Sequence, residues 1–263
     1  RNVFHVQELP AESRKLRRSL QKYSDALYIA ISHSIARRLC VLGVDKSQIQ
    51  VVHNGVDVED VLGDRVPKAS STRKTPRIGI VGQVGEWKGH EDLISALAIV
   101  RSNAPETEFS CNVYGRGEDG FVNAMKQKAS LHNLDGHLHW HGFVRDVASI
   151  YNTLDILIVP SRHAEPFGLV AAEAGIWKIP VIATNEGGLS EVVVDGETGY
   201  LVDSCSPDQI AQRLHELLTQ PAERERMGKQ AHRRVREHFT AQAMTEGVEQ
   251  AICDMLQKNG SLQ

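Results

Sequence analysis

The 263-residue chain lacks any long apolar run: no stretch approaches the roughly 20 residues that a membrane span needs, and no secretory leader is visible. It also lacks a basic balance. Lys and Arg number 30 against 33 Asp and Glu, so the net charge of -3 leaves no footprint for nucleic acid. Cysteine is sparse. Cys40, Cys111, Cys205 and Cys253 are scattered, and the first two fall in apolar helix-like and strand-like runs, so free buried thiols in a reducing compartment are expected. No Walker pattern is present, because Lys88 is followed by Gly89 and no Gly-Lys-Ser/Thr occurs. Gly79, Gly82 and Gly85 are spaced at three, which is not the dinucleotide fingerprint and disfavours a dehydrogenase. No Ser-His-Asp arrangement is visible. What is present, 41% hydrophobic and 24% charged residues, suits a soluble globular protein of one large or two smaller domains. The chain opens on Arg1 rather than Met, and a piece of a longer protein is expected.

Apolar runs alternate with helical patterns along the whole length. Strands are expected at 3–6, 27–31, 49–52, 77–82, 109–114, 138–140, 156–159, 179–183 and 199–202, with helices between most of them. That alternation predicts an α/β fold with a parallel sheet and helices on both faces. Right-handed crossovers then place the strand-end loops on one edge, where ligands bind such sheets. Residues 59–76 are polar and patternless around Pro67 to Lys74 and read as a linker. It separates residues 1–58 from a unit at 77–240, and a tail helix follows at 241–263. The basic helix at 11–24 reads as a solvated face, with peripheral membrane contact the alternative.

The stretch from Ala164 to Gly175 organises the rest. A buried strand ends at Pro160, and Pro166 and Gly168 open a helix whose free N–H groups favour phosphate. Glu165 and Glu173 flank that start and would repel phosphate, so they suit hydroxyls better than a general acid/base pair. Phosphate between two polyols describes a nucleotide-sugar. Lys88, in the loop from Gly82 to Gly89, could reach its diphosphate as a point charge. His137, His139 and His141 share one strand face; no nearby carboxylate or Cys completes a zinc site, so outward-facing histidines are expected.

Five motifs, Gly-x5-Lys-Gly at 82–89, Gly-x-Gly at 115–117, Gly-Phe-Val-x-Asp at 142–146, Glu-Pro-Phe-Gly-Leu-x3-Glu at 165–173 and Gly-Gly-Leu-x-Glu at 187–191, resemble in order those of the retaining glycosyltransferases of family 4. The resemblance covers residues 77–203 and implies the GT-B fold, two Rossmann-like domains facing across a cleft. It makes 77–240 the donor-binding half and 1–58, through Asp25, Ser32 and Asn54 to Asp57, the remnant of a partial acceptor domain. The tail helix would cross back to that domain. It further implies that Glu173 binds ribose and that Glu165 meets the donor sugar. Lys88 and the amides of Gly168, Leu169 and Val170 hold the diphosphate, with Phe167 in the same loop. Val144 and the turn at Gly115, Arg116 and Gly117 frame the base. Glu165 and Lys88 carry the catalytic assignment, with no metal and no cofactor. Gln83 stands where the family commonly has an Arg that assists the diphosphate, and Arg162 is the substitute considered. Most of the acceptor domain, including the His usually near its active site, is expected to be missing, so the fragment alone should transfer sugar poorly. The expected donor is a UDP-sugar, or a GDP-sugar. The expected acceptor is a glycan or lipid-linked molecule in surface polysaccharide or lipopolysaccharide synthesis, in the cytoplasm or at the inner face of its membrane. The alternatives are an epimerase of the same fold and a non-catalytic nucleotide-sugar-binding module.

Overall fold

The computed structural model describes residues 2–8, 14–23, 25–67 and 75–258. Near the N-terminus, β1 (Val3–Val6), β2 (Leu27–Ala30) and β3 (Ile49–Val51) form a parallel sheet in that order. The helices α1 (Arg14–Gln21) and α2 (His33–Val41) connect them. Ser32 caps α2, its side-chain oxygen accepting the Ile35 N–H, and the helix ends before Gly43 at φ 94°. Residues 11–13 and 24 of the expected basic helix, and 68–74 of the expected linker, lie outside the described residues. The linker reading needs one correction at its start. Asp57 caps a short helix, α3 (Val58–Leu62), with Val61 buried and its carbonyl accepting the Trp177 indole N–H.

The second sheet has six parallel strands in the order β6-β5-β4-β7-β8-β9. These are β4 (Arg77–Val81), β5 (Ser110–Tyr114), β6 (Leu138–Gly142), β7 (Ile156–Val159), β8 (Val181–Thr184) and β9 (Gly199–Val202). The intervening helices are α4 (His90–Asn103), α5 (Asp119–Leu131), α6 (Val147–Tyr151), α7 (Leu169–Ile176) and α8 (Leu189–Val192), followed by α9 (Pro207–Thr219), α10 (Pro221–His238) and α11 (Ala241–Lys258). Strand β7 shows why both faces must be covered. Ile156 and Ile158 enter one core with Leu93, Leu97 and Leu214. Leu157 and Val159 enter the other with Ala171, Ala174, Trp177 and Val235. Leu157 is fully buried, and truncating it to Ala is expected to cost about 2–5 kcal/mol.

That second core does not stop at the six-stranded sheet. It continues through Val56 and Val61 to Tyr28, Ile31 and Leu39 of the first unit. The chain returns as well. Val56 exchanges backbone hydrogen bonds with Phe239 and Ala241. Helix α11 then lays Met244, Val248 and Ala251 against Leu27, Ile29 and Val52. All four cysteines are free, as expected, but only Cys111 is buried, and its burial pushes its pKa up to about 12. Cys40, Cys205 and Cys253 are exposed; Cys40 lies on the outer side of α2, away from Leu39 in the core. Among the described residues no helix is long and apolar enough to cross a membrane.

Candidate functional site

Strand order reverses between β4 and β7, so the loops leaving these neighbours diverge and open a crevice at their carboxyl ends. The loops after β4 and β7 line it, and a close backbone approach sets them together. Gly89, at φ 70°, has no room for a Cβ, which would stand 1.9 Å from the Pro160 carbonyl oxygen. Only glycine lets the loop after β4 lie against the end of β7 there. Gly168, at φ 106°, caps α7 without any side-chain hydrogen bond. Ala171 and Ala172 turn their N–H groups back to the Gly168 carbonyl, and the Leu169 and Val170 N–H groups ahead of them have no intrahelical acceptor. That start carries a partial positive charge and suits an anion.

Lys88 and Glu165 come from these facing loops and meet. The Lys88 ammonium is 2.5 Å from the Glu165 carboxylate, and both side chains are mostly buried. The Ser161 hydroxyl donates to the same carboxylate oxygen, and the Lys88 ammonium lies 4.3 Å from the Trp87 ring centre. His90 stands behind this loop, 2% exposed, with Nδ1 facing the Gly85 carbonyl. Burial lowers its pKa to about 4, so the ring is neutral and Nδ1–H donates to Gly85.

Arg162, considered as the cation replacing the one absent at Gln83, is committed elsewhere. Its guanidinium grips Asp92 through two bonds of 2.7 and 2.8 Å and Glu91 through a third. Asp92 in particular raises its pKa further, so the charge is held at the flank of α4.

Beyond β5 and β6 lies a slot of about 370 Å³ whose lining includes Val81, Gln83, Tyr114, Gly115, Arg116, Phe143 and Val144. A shift in register between β5 and β6 at Val113 and Tyr114 re-aims the strand end here. The Arg116 guanidinium lies 5.3 Å from the Phe143 ring centre. The walls are mainly apolar and fit a planar ring.

Glu173 is positioned by α7, one turn into the helix. Its carboxylate accepts the Tyr151 hydroxyl at 2.7 Å. Burial raises its pKa, the Tyr151 hydrogen bond opposes this, and the charge of Asp60 adds to the rise. Burial, with Glu173 beside it, also raises the Tyr151 pKa well above its usual value.

Thus Gln83, Gly115, Arg116 and Val144 share one slot, Lys88, Glu165, Gly168, Leu169 and Val170 share the loop edge, and Glu173 stands apart with Tyr151. Phe167 differs from the rest. Its side chain is 2% exposed and lies between His53 and Phe239, so only its backbone can face a ligand. The three alternating histidines do not act together: His137, just before β6, meets the Phe109 carbonyl, His141 meets Asn112 and stacks on Tyr114, and His139 is exposed.

The sequence reading missed Tyr151, Ser161, His33, His53 and the carboxylate of Glu191. Their partners lie on distant elements, and only the motif at 187–191 marked one of them. Among the described residues, His33, His53 and Glu191 are the only side chains grouped closely enough to share a metal, with ligand atoms within 4.8 Å. Both Glu191 oxygens, however, already accept hydrogen bonds. They also face the positive end of α2, which disfavours a cation.

A family model described as "Glycosyl transferases group 1" matches residues 65–234, more than half the chain. The chain is 31% identical over 193 residues to a D-inositol 3-phosphate glycosyltransferase of Arthrobacter sp. (strain FB24), covering 71% of this chain and 46% of that protein. It superposes on a glycosyltransferase from Rickettsia africae with a TM-score of 0.85 at 21% identity, over 97% of this chain and 70% of that one. Against HepE of Anabaena, solved with UDP and glucose, the TM-score is 0.80 at 21% identity, over 95% and 71% of the two chains. The chain spans about half the length of the curated relatives it matches.

Proposed function

This chain belongs to the group 1 glycosyltransferases, and we propose that it binds a nucleoside diphosphate sugar, UDP-linked first and GDP-linked as the alternative. What supports this is a set of fittings built from the strand-end loops and α7: an apolar slot, a carboxylate under Tyr151, and a helix start with no side-chain cap near Lys88. A base, a ribose and a diphosphate match them in turn. The base enters the slot at Tyr114, Arg116 and Val144. Glu173 accepts the ribose hydroxyls. Lys88 and the N–H groups of Gly168, Leu169 and Val170 hold the diphosphate, and Glu165 accepts a hydroxyl of the donor sugar. HepE, whose fold this chain shares, binds UDP and glucose.

Within the whole protein, the reaction is sugar transfer with retention to a hydroxyl of a glycan or lipid-linked acceptor in surface polysaccharide synthesis. The acceptor oxygen bonds to the anomeric carbon on the face the diphosphate leaves. The departing electron pair goes to the phosphate oxygen, and the acceptor proton passes to that same oxygen. Lys88 and the helix amides stabilise the charge that develops there, an electrostatic contribution worth about 10²–10³ in rate per donor. Residues 1–58 are the end of the acceptor domain and 77–240 the donor domain, so this chain alone binds donor but turns over poorly.

The test is thermal stabilisation by UDP, GDP and ADP. A ligand at 100 times its dissociation constant adds about 2.7 kcal/mol, moving the melting point by a few degrees. One diphosphate stabilising the parent, with the shift lost in Lys88→Ala and Glu173→Ala, is the expected result. No shift with any of the three in the complete protein contradicts the reading.

A further inference from the structure

The loop that carries Glu165 is gripped from two sides, and the grip passes through Glu191. On one side, the Gly188 N–H donates to the Glu165 carbonyl at 2.7 Å, and Gly187 lies so close that a Cβ would stand 2.2 Å from that oxygen. On the other, Ser32 at the end of β2, fully buried, donates its hydroxyl to the Pro166 carbonyl at 2.7 Å.

Glu191 ties the two sides together. Its carboxylate accepts the backbone N–H groups of His33 at 2.8 Å and Ser34 at 2.9 Å, both in the first turn of α2. It also accepts His53 Nε2 at 2.9 Å. These groups belong to the three-stranded unit, whereas Glu191 follows β8 of the six-stranded one. Burial works against the ionised carboxylate, but the His53 bond and the two backbone bonds outweigh it and hold the Glu191 pKa below its usual value. Arg234 fixes α8 from behind, donating to the Glu191 and Val192 carbonyls at 2.7 and 3.0 Å. The His53 ring then touches the loop itself, 6.1 Å from the Phe167 ring centre and 5.5 Å from that of Phe239.

We propose that Glu191 and His53 are positioning residues for sugar transfer: they brace the three-stranded unit against the donor unit and so fix the orientation of the loop that presents Glu165. Their part in transfer rests on the function proposed above. Apolar packing alone would let the two units slide, because it is non-directional. A partly buried carboxylate with three donors has one favourable placement, and losing one donor leaves an unsatisfied group. Since an ångström of misplacement can cost about a hundredfold in rate, the brace matters for turnover more than for nucleotide affinity.

The experiment uses the complete protein with UDP as ligand and a panel of UDP-sugars as donors, following UDP release. His53→Phe keeps the aromatic packing but removes the donor to Glu191, and it should lower kcat about tenfold or more while the UDP dissociation constant stays within about twofold. His53→Gln keeps a donor at that distance and should restore most of kcat. Glu191→Gln sets an amide against backbone N–H groups and should behave like His53→Phe; the double variant should be no worse than either, since coupled residues are not additive. Equal losses in His53→Phe and His53→Gln, or parallel losses of kcat and UDP affinity, overturn the proposal. Hydrogen exchange decides it independently of turnover. In His53→Phe and Glu191→Gln, the amides of His33 and Ser34 and those of residues 165–168 should exchange faster together while β4 and β7 stay protected. Unchanged exchange in the loop overturns the brace. Failure of the parent to bind UDP, with that exchange pattern intact, overturns only the donor reading.

Discussion

At the end of the crevice proposed to take phosphate, Glu165 sits in a loop with its charge matched by Lys88 and a hydrogen bond from Ser161. At the end proposed to take the nucleoside, Glu173 sits on a helix under Tyr151, with burial pushing its pKa up and no ion-pair partner among the described residues. The same side chain therefore meets two environments. On the proposed reading, the first carboxylate orients a cation that a diphosphate recruits, and the second, a hydrogen-bond acceptor without an ion-pair partner among the described residues, takes hydroxyls rather than phosphate. Surroundings, not residue type, divide the two.

The contrast breaks hardest at Lys88. Lys88→Ala should abolish stabilisation by UDP and, in the complete protein, lower kcat about a hundredfold or more, read as UDP release. It also leaves Glu165 without its cation, whereas Glu173 should be untouched, so Tyr151 should titrate as in the parent.

The phosphate end has a pH signature of its own. The pKa of His90 is lowered from 6.5 to about 4 by burial. A depressed folded value means that the stability His90 contributes is present above pH 6.5 and lost as pH falls toward 4. At about 1.4 kcal/mol per unit, the full loss approaches about 3 kcal/mol. Urea denaturation at pH 7 and pH 4 should show this drop in the parent and a smaller one in His90→Asn.

At the nucleoside end the expected changes are smaller and opposite in sign. Glu173→Gln should weaken UDP about tenfold, as loss of a charged hydrogen-bond acceptor does, and leave 2′,3′-dideoxy-UDP nearly unaffected; calorimetry of both ligands checks it. The raised pKa of Glu173 means that its contribution to stability is present below the usual carboxylate range and lost as pH rises through the folded value. The ligand-free Glu173→Gln variant should therefore gain stability relative to the parent at neutral pH. Tyr151→Phe, the mildest change, should raise the Glu173 pKa further, seen by NMR titration of the carboxyl carbon.

Much of this was legible in the chain. Strand and helix alternation, glycines at strand ends and the Ala164 to Gly175 stretch mark the parallel sheet and the edge where its strand-end loops gather, because period and turn chemistry are local. What escaped is what depends on distant partners. Glu191 meets His33 across 158 positions, and no periodicity records that. Arg162 looked like a free cation until α4 presented Asp92 to it. Cys40 lies in an apolar run yet faces outward, because a helix carries a polar side even among apolar neighbours. Helices α3 and α8 span one turn or little more, too short for a 3.6-residue period to show.

The most direct test of the central claim, that one nucleotide spans both ends of the crevice, is a crystal structure of the protein grown with UDP. The account predicts the uracil in the slot between Tyr114 and Val144, the ribose at Glu173, and the diphosphate on Lys88 and the first-turn amides of α7. UDP seated away from Lys88 and Glu173, or with its phosphates toward the slot, would contradict it.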